Sequence, residues 1–239
     1  MKNKIIAIHQ PNFFPWLGYF DKIVRSDTFV ILDDAQLQKT GAGWSSRVQL
    51  AIMGEAKWFT VPISRQFHGT GAINEAHFDS KVPWRNKLVK TLQGNYRKAQ
   101  FFNDVFPFLK NVIEFSDQNV ASYNTYCLKA ILNELGISTS LILASELKVM
   151  QLSTERLITI TKLLNGNVYL CGGGAGGYQE DDRFPESNLE LRYQHFVHPI
   201  YDQKTSAGFI KGLSIIDALM HLGFANVSSL LLKQQHAKI

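Results

Sequence analysis

The strongest constraint on the fold lies in the first thirty-two residues. An apolar run, Ile5-Ile6-Ala7-Ile8, stops at His9-Gln10-Pro11, and a second, Thr28-Phe29-Val30-Ile31-Leu32, follows. Between them Leu17, Phe20, Ile23 and Val24 recur at helical spacing, and Ser26-Asp27 ends the periodicity. Strand, helix and strand at so short a separation make a βαβ unit, with two parallel strands joined by a crossover helix. Parallel strands need apolar cover on both faces, so the chain is committed to an α/β architecture.

The rest of the chain fits that frame. Arg47–Ile52 and Lys57–Ile63 read as a strand pair around Met53-Gly54-Glu55, followed by an irregular loop over 64–80. Trp84, Leu88, Val89 and Leu92 share a helical face; Asn103–Phe115 and Asn119–Gly136 read as two further helices, the last closed by Gly136. Together they form a helical insertion at 84–136 in a single domain spanning 1–239. Further strands are expected within Ile137–Leu147, at Val168–Cys171 and near Leu189–Tyr193. Helices are expected from Ser153, as N-cap, to Leu164 and over Leu213–Leu222, where Ser214 and Asp217 suggest a capping box. The expected fold is a mostly parallel sheet with a nucleotidyltransferase-like (Rossmann-like) core.

Composition narrows the class. With 45% hydrophobic and 19% charged residues, the chain can build a packed core and is not a disordered tail. No apolar run reaches the ~18 residues of a membrane span, and the N-terminal run is too short and abruptly ended for a secretory signal. A cytoplasmic location is expected. Cys127 and Cys171 are too far apart for a metal motif and too few for a disulfide framework, so no metal site is expected. The net charge of +5 is uneven: Lys81, Arg85, Lys87, Lys90, Arg97 and Lys98 form a basic stretch without an acid. A cationic outer helix face is the simpler reading, and nucleic acid an unlikely partner; if bound, it would show steep salt dependence.

Chemistry-bearing residues cluster where strands hand over to loops. His9, Gln10 and Asn12 follow the first strand, with Trp16, Gly18 and Tyr19 behind them. Histidine can act as acid or base near neutrality, although one whose ring is satisfied by loop backbone would look the same. Asp33, Asp34 and Gln36 follow the second strand; the carboxylates could orient His9, bind ribose hydroxyls or hold an ion through water, or simply cap a turn. Gly172, Gly173 and Gly174 open a loop with five glycines in six positions, suited to close backbone approach to phosphate or sugar, yet neither a P-loop nor a dinucleotide fingerprint. His198, Tyr201 and Gln203 lie in a Pro-containing segment, either contacting substrate or forming a structural turn.

The stretch Ile6-Ala7-Ile8-His9-Gln10-Pro11-Asn12-Phe13-Phe14-Pro15-Trp16-Leu17-Gly18-Tyr19-Phe20-Asp21-Lys22-Ile23, with Phe29-Val30-Ile31-Leu32-Asp33-Asp34, resembles the opening of the WbqC-like family of bacterial proteins. Trp58-Phe59-Thr60-Val61-Pro62, Tyr169-Leu170 with the glycines, Pro199-x-Tyr201-x-Gln203 and Ser214-Ile215-Ile216-Asp217 extend the resemblance over nearly the whole chain. It implies a role in O-antigen or other surface-polysaccharide synthesis: acylating or aminoacylating, with glycine as one candidate, the amine of a nucleotide-linked amino sugar. His9 would be the base and Asp33 or Asp34 its orienter. Gln10 and Asn12 would contact the sugar or oxyanion, Trp16 and Trp44 would stack, and Arg47 with the glycine loop would hold pyrophosphate. Where the family carries an Arg-Asn-Arg-like run, Trp44-Ser45-Ser46-Arg47 keeps one arginine. A more distant resemblance, to nucleotidylyltransferases of the HIGH type, implies a nucleotide with Mg²⁺ as the alternative requirement in place of an acyl or aminoacyl donor; Trp16-Leu17-Gly18-Tyr19 lacks that family's histidine pair. A non-catalytic nucleotide- or nucleic-acid-binding protein is the third reading.

Overall fold

A computed structural model describes residues 3–37, 43–64, 71–173, 179–204 and 208–236. Strands β1 (Ile5–His9) and β2 (Thr28–Ile31) flank helix α1 (Leu17–Val24) and pair in parallel, with His9 opposite Ile31. The βαβ expectation therefore holds. A two-stranded antiparallel ribbon follows, β3 (Arg47–Ile52) and β4 (Glu55–Thr60), turning at Met53-Gly54, both with positive φ. The second ribbon strand begins two residues earlier than its apolar content suggests, because the tight turn needs only those two residues.

The insertion supplies α2 (Trp84–Tyr96), α3 (Phe102–Ile113) and α4 (Val120–Glu134). The Asn119 side chain caps α4 by accepting from Ser122 N–H, and Gly136 closes it at φ 65°. Next come β5 (Ser140–Leu143), α5 (Ser153–Leu163), β6 (Val168–Cys171), the single turn α6 (Arg183–Glu186), β7 (Glu190–Tyr193) and α7 (Ile215–His236). Within the expected strand 137–147 only four residues pair; Ala144–Leu147 turn instead into a 3-10 helix. Ser153 does not cap α5, since it is the first helical residue, at φ 47°, and Leu152 holds the cap position.

The main sheet has five parallel strands in the order β5-β2-β1-β6-β7. One face joins α1, the insertion and α7 in a core containing Ala7, Phe20, Phe29, Leu88, Tyr123 and Leu219. The other face buries Ile6, Ile8, Val30, Ile158, Tyr169 and Phe184 beneath α5 and α6. Alternate strand residues thus feed opposite cores, as expected for a sheet covered on both sides.

The last helix runs beyond the expected end at Leu222. Gly223, at φ 75° and ψ 166°, breaks it into two segments, and a side chain there would strike the Phe101 ring at 2.7 Å. Ile215–Lys233 alone among the described residues has the length and apolarity of a membrane-crossing helix; it is broken at Gly223 and over half buried against the core, as a core helix is.

Candidate functional site at the carboxyl ends of β1 and β6

From β1 the chain crosses to β2 on one side, while β6 and β7 lie on the other. The carboxyl ends of β1 and β6 therefore flank a topological switch point, where open parallel sheets leave a crevice for ligands. His9 ends β1, and Cys171 ends β6, followed by Gly172 and Gly173. A Cβ added at either glycine would meet nothing within 4 Å, so neither is required for packing among the described residues. Gly174 lies outside them.

His9 is fixed by its neighbour's backbone. Its Nδ1 lies 3.1 Å from the Gln10 carbonyl, which also accepts from the Tyr19 hydroxyl at 3.0 Å. A carbonyl can only accept, so Nδ1 carries the proton and Nε2 keeps the lone pair. The Tyr19 ring meets the imidazole edge-on, centroids 4.8 Å apart. Burial, and then the positive charge of Lys22, push the His9 pKa down to about 3 despite the opposing Gln10 hydrogen bond. The ring is neutral at physiological pH.

Lys22 was not among the residues singled out from sequence. It is 3% exposed, and its ammonium donates to the Ile8 carbonyl at 2.9 Å, at the end of β1. Among the described residues no carboxylate pairs with it. Desolvation lowers its pKa to about 8, opposed by the Cys171 thiol, whose own pKa burial raises. A signal was present in the sequence: Tyr19, Phe20, Ile23 and Val24 surround Asp21-Lys22, leaving no polar face, and all eight residues of α1 are buried.

Asp33 does not orient His9. Its Oδ1 accepts from Ser145 N–H at 3.0 Å, and its Oδ2 accepts from Ser145 Oγ at 2.6 Å and Asn74 Nδ2 at 3.3 Å. It ties the turn after β5 to the loop after the ribbon. Asp34 pairs with Arg156 at 2.5 Å, and Gln36 is exposed, with its backbone bridging Ala72. Strand adjacency is as expected, yet Asp33 is held by Ser145 in the turn after β5 and Asp34 by Arg156 of α5, and neither is hydrogen-bonded to His9 among the described residues. Among the described residues no group of three His, Cys, Asp or Glu is arranged to hold a metal.

Asn12 is buried in the loop after β1, and Gly18 serves packing. A Cβ on Gly18 would lie 2.4 Å from the Trp16 ring, which meets Phe196 at 5.1 Å and stacks near His198 at 6.2 Å. His198 Nδ1 is 2.9 Å from the Pro199 carbonyl. Tyr201 and Gln203 both donate to Asp217 Oδ2, at 2.7 and 3.0 Å. The Pro199-x-Tyr201-x-Gln203 and Ser214-x-x-Asp217 motifs therefore meet in one buried polar network. Asp217 faces that network rather than completing a capping box, while Ser214 Oγ does accept from Ile216 N–H.

Trp44 and Trp58 are 44% and 42% exposed and meet edge-on at 5.1 Å, with the Arg47 guanidinium 4.2 Å from the Trp58 ring. Asn124 fastens this platform to the site loop by donating to both Pro11 and Ser45 carbonyls, and Phe13 N–H donates to the Trp44 carbonyl. Trp58, which the sequence presents only within the Trp58-Phe59-Thr60-Val61-Pro62 motif, joins Trp44 on this surface although most of its alternating strand neighbours are polar. In the basic stretch Arg85 turns inward onto Trp84 and the Phe115 and Asp117 carbonyls, whereas Lys87, Lys90, Arg97 and Lys98 are exposed.

These features define an α/β protein whose doubly covered parallel sheet presents a neutral histidine and a buried lysine at its switch point. The chain belongs to the WbqC-like protein family, whose model matches residues 10–229. It is similar to an uncharacterized protein of Mycobacterium tuberculosis, 31% identical over 223 residues that cover 92% of this chain and 94% of that protein. No solved structure matches it.

Proposed function

We propose that the protein transfers an acyl or aminoacyl group to the amine of a nucleotide-linked amino sugar, in the synthesis of O-antigen or another surface polysaccharide. The observation that carries this reading is His9, held with Nδ1 as donor and Nε2 free to accept, beside the switch point between β1 and β6. The uncharged amine attacks the activated acyl carbon, the new N–C bond forms, and the bond to the donor's leaving group breaks. His9 Nε2 takes the amine proton and returns it to the leaving group, so the imidazole ends as it began. The exposed Trp44 and Trp58 faces and Arg47 suit the ring and phosphate of a nucleotide.

The test is mass spectrometry of amino-sugar nucleotides incubated with the purified protein and a panel of activated acyl and aminoacyl donors. His9→Ala should abolish the mass gain while retaining nucleotide-sugar binding; equal loss of both would place His9 in binding or folding. Pyrophosphate release from a nucleotide with Mg²⁺, without acyl gain, would instead favour nucleotidylyl transfer.

A further inference from the structure

We propose that Lys22 is the anchor for a ligand oxyanion, a phosphate or a carboxylate, bound at the switch point between β1 and β6. A side chain carrying full charge at 3% exposure is a costly feature unless the charge is answered. The ammonium has three donors, and among the described residues only the Ile8 carbonyl accepts from it. No carboxylate among the described residues pairs with it, and residues 38–42, 65–70, 174–178 and 205–207 contain no Asp or Glu to supply one. The buried carboxylates are treated differently. Asp21 has Gln194 and Arg25, Asp33 has Ser145 and Asn74, and Asp217 has Tyr201 and Gln203.

The position supports the same conclusion. Lys22 springs from α1 yet delivers its charge to the carboxyl end of β1, next to the end of β6, where parallel sheets admit ligands. The two glycines after Cys171 leave space there on the described side. An oxyanion would complete the hydrogen bonding of the ammonium and neutralise it in place.

Occupancy then acts on the neighbouring base. Lys22 is the charged contributor holding His9 down, second only to burial. An anion on Lys22 cancels that charge and raises the basicity of the imidazole, so the base becomes competent when ligand is present. The anchor stands apart from the acyl-transfer reading; this consequence for His9 rests on it.

The experiment measures binding of inorganic pyrophosphate and UDP in one arm, and of acetate and glycine in the other, by calorimetry at pH 7. Wild-type protein should bind at least one arm, and the arm that binds identifies the oxyanion as phosphate or carboxylate. Lys22→Met, which keeps length and removes charge, should bind that anion at least tenfold more weakly. Equal affinity in the variant, or no binding in either arm, overturns the proposal. Should Lys22→Met fail to fold, wild-type protein decides by pH. Around the ammonium, His9 is already neutral, burial holds Tyr19 protonated and pushes the Cys171 thiol up, and Asp181 beyond Cys171 is held below the usual carboxylate range by Tyr193. Anion affinity should therefore fall from pH 7 to 9.5 as Lys22 loses its proton, and constant affinity overturns the anchor. His9→Ala serves as the separating control: it should retain the anion, and its turnover tests the acyl-transfer reading alone.

Discussion

Replacing Lys22 by methionine should make the ligand-free protein more stable at neutral pH, although the residue is almost wholly enclosed. Its pKa falls from 10.5 to about 8 on folding. At roughly 1.4 kcal/mol per tenfold change, that corresponds to about 3 kcal/mol of stability forgone while the group is charged in both states. The variant also loses the bond to the Ile8 carbonyl, worth about 1 kcal/mol. The net gain is about 2 kcal/mol, or roughly 4–8 °C in Tm for a chain of this size. The sign of the pH dependence follows from the direction of the shift. Below pH 8 both folded and unfolded lysine are protonated, and the full penalty applies. Between 8 and 10.5 the unfolded chain binds more protons, so wild-type stability rises, and above that window the penalty is gone. Paired calorimetric melts at pH 7 and 10.5 should show the advantage of Lys22→Met shrinking to nothing or reversing. A variant less stable at pH 7, or an equal difference at both pH values, would refute the reasoning and mean that the ammonium is compensated within the ligand-free protein.

Three other outcomes follow from the same contacts. His9 falls from 6.5 to about 3 on folding, so it should cost the native state up to about 5 kcal/mol progressively as pH falls from 6.5 through 3; acid unfolding of His9→Gln, followed by circular dichroism, should begin at lower pH than in wild type. Tyr201→Phe removes a 2.7 Å bond to buried Asp217 and should lower stability by about 2 kcal/mol, while leaving nucleotide-sugar affinity unchanged; weakened affinity with unchanged Tm would restore Tyr201 to substrate binding. Gly18→Ala should cost about 1–3 kcal/mol through its clash with Trp16, whereas Gly172→Ala, which meets nothing, should leave thermal stability unchanged within about 1 kcal/mol.

What was legible in the sequence was mostly local. The β1-α1-β2 unit is written in adjacent apolar periods, and the Trp84, Leu88, Val89, Leu92 face of α2 is buried as its spacing requires. Long-range pairing is another matter. Nothing in the string states that β6 lies beside β1 or β5 beside β2, and those two neighbours decide which loop residues share a crevice. The assignment of Asp33 failed for that reason: it follows a strand adjacent to that of His9, but β5 brings Ser145 to it first. Tyr201, Gln203 and Asp217 show a related limit, because polar residues that satisfy one another across 14 to 16 positions look, one at a time, like ligand contacts. Lys22 was hidden by the opposite habit of reading, since a lysine on a short helix is usually assigned to solvent. Here the helix has no solvent side.

The distribution of charge around the sheet gives these details a common sense. Buried acids on two flanks are answered there, Asp33 beyond β2 by Ser145 and Asn74 and Asp217 at the start of α7 by Tyr201 and Gln203, while Asp21 on α1 is answered by Arg25 and Gln194. Between those flanks, at the ends of β1 and β6, the enclosed charge is positive, and it faces a neutral imidazole and a buried thiol rather than a carboxylate. A carboxylate placed there would stabilise the empty protein, and it would also occupy the position a ligand anion needs. Leaving the lysine unanswered sacrifices stability for a prepared charge in poorly solvated surroundings, where one oxyanion gains more than it would in water. The same absence leaves Lys22 adding to the burial that holds His9 deprotonated, and an oxyanion removes the Lys22 share, so the electrostatics of the site favour binding before proton transfer.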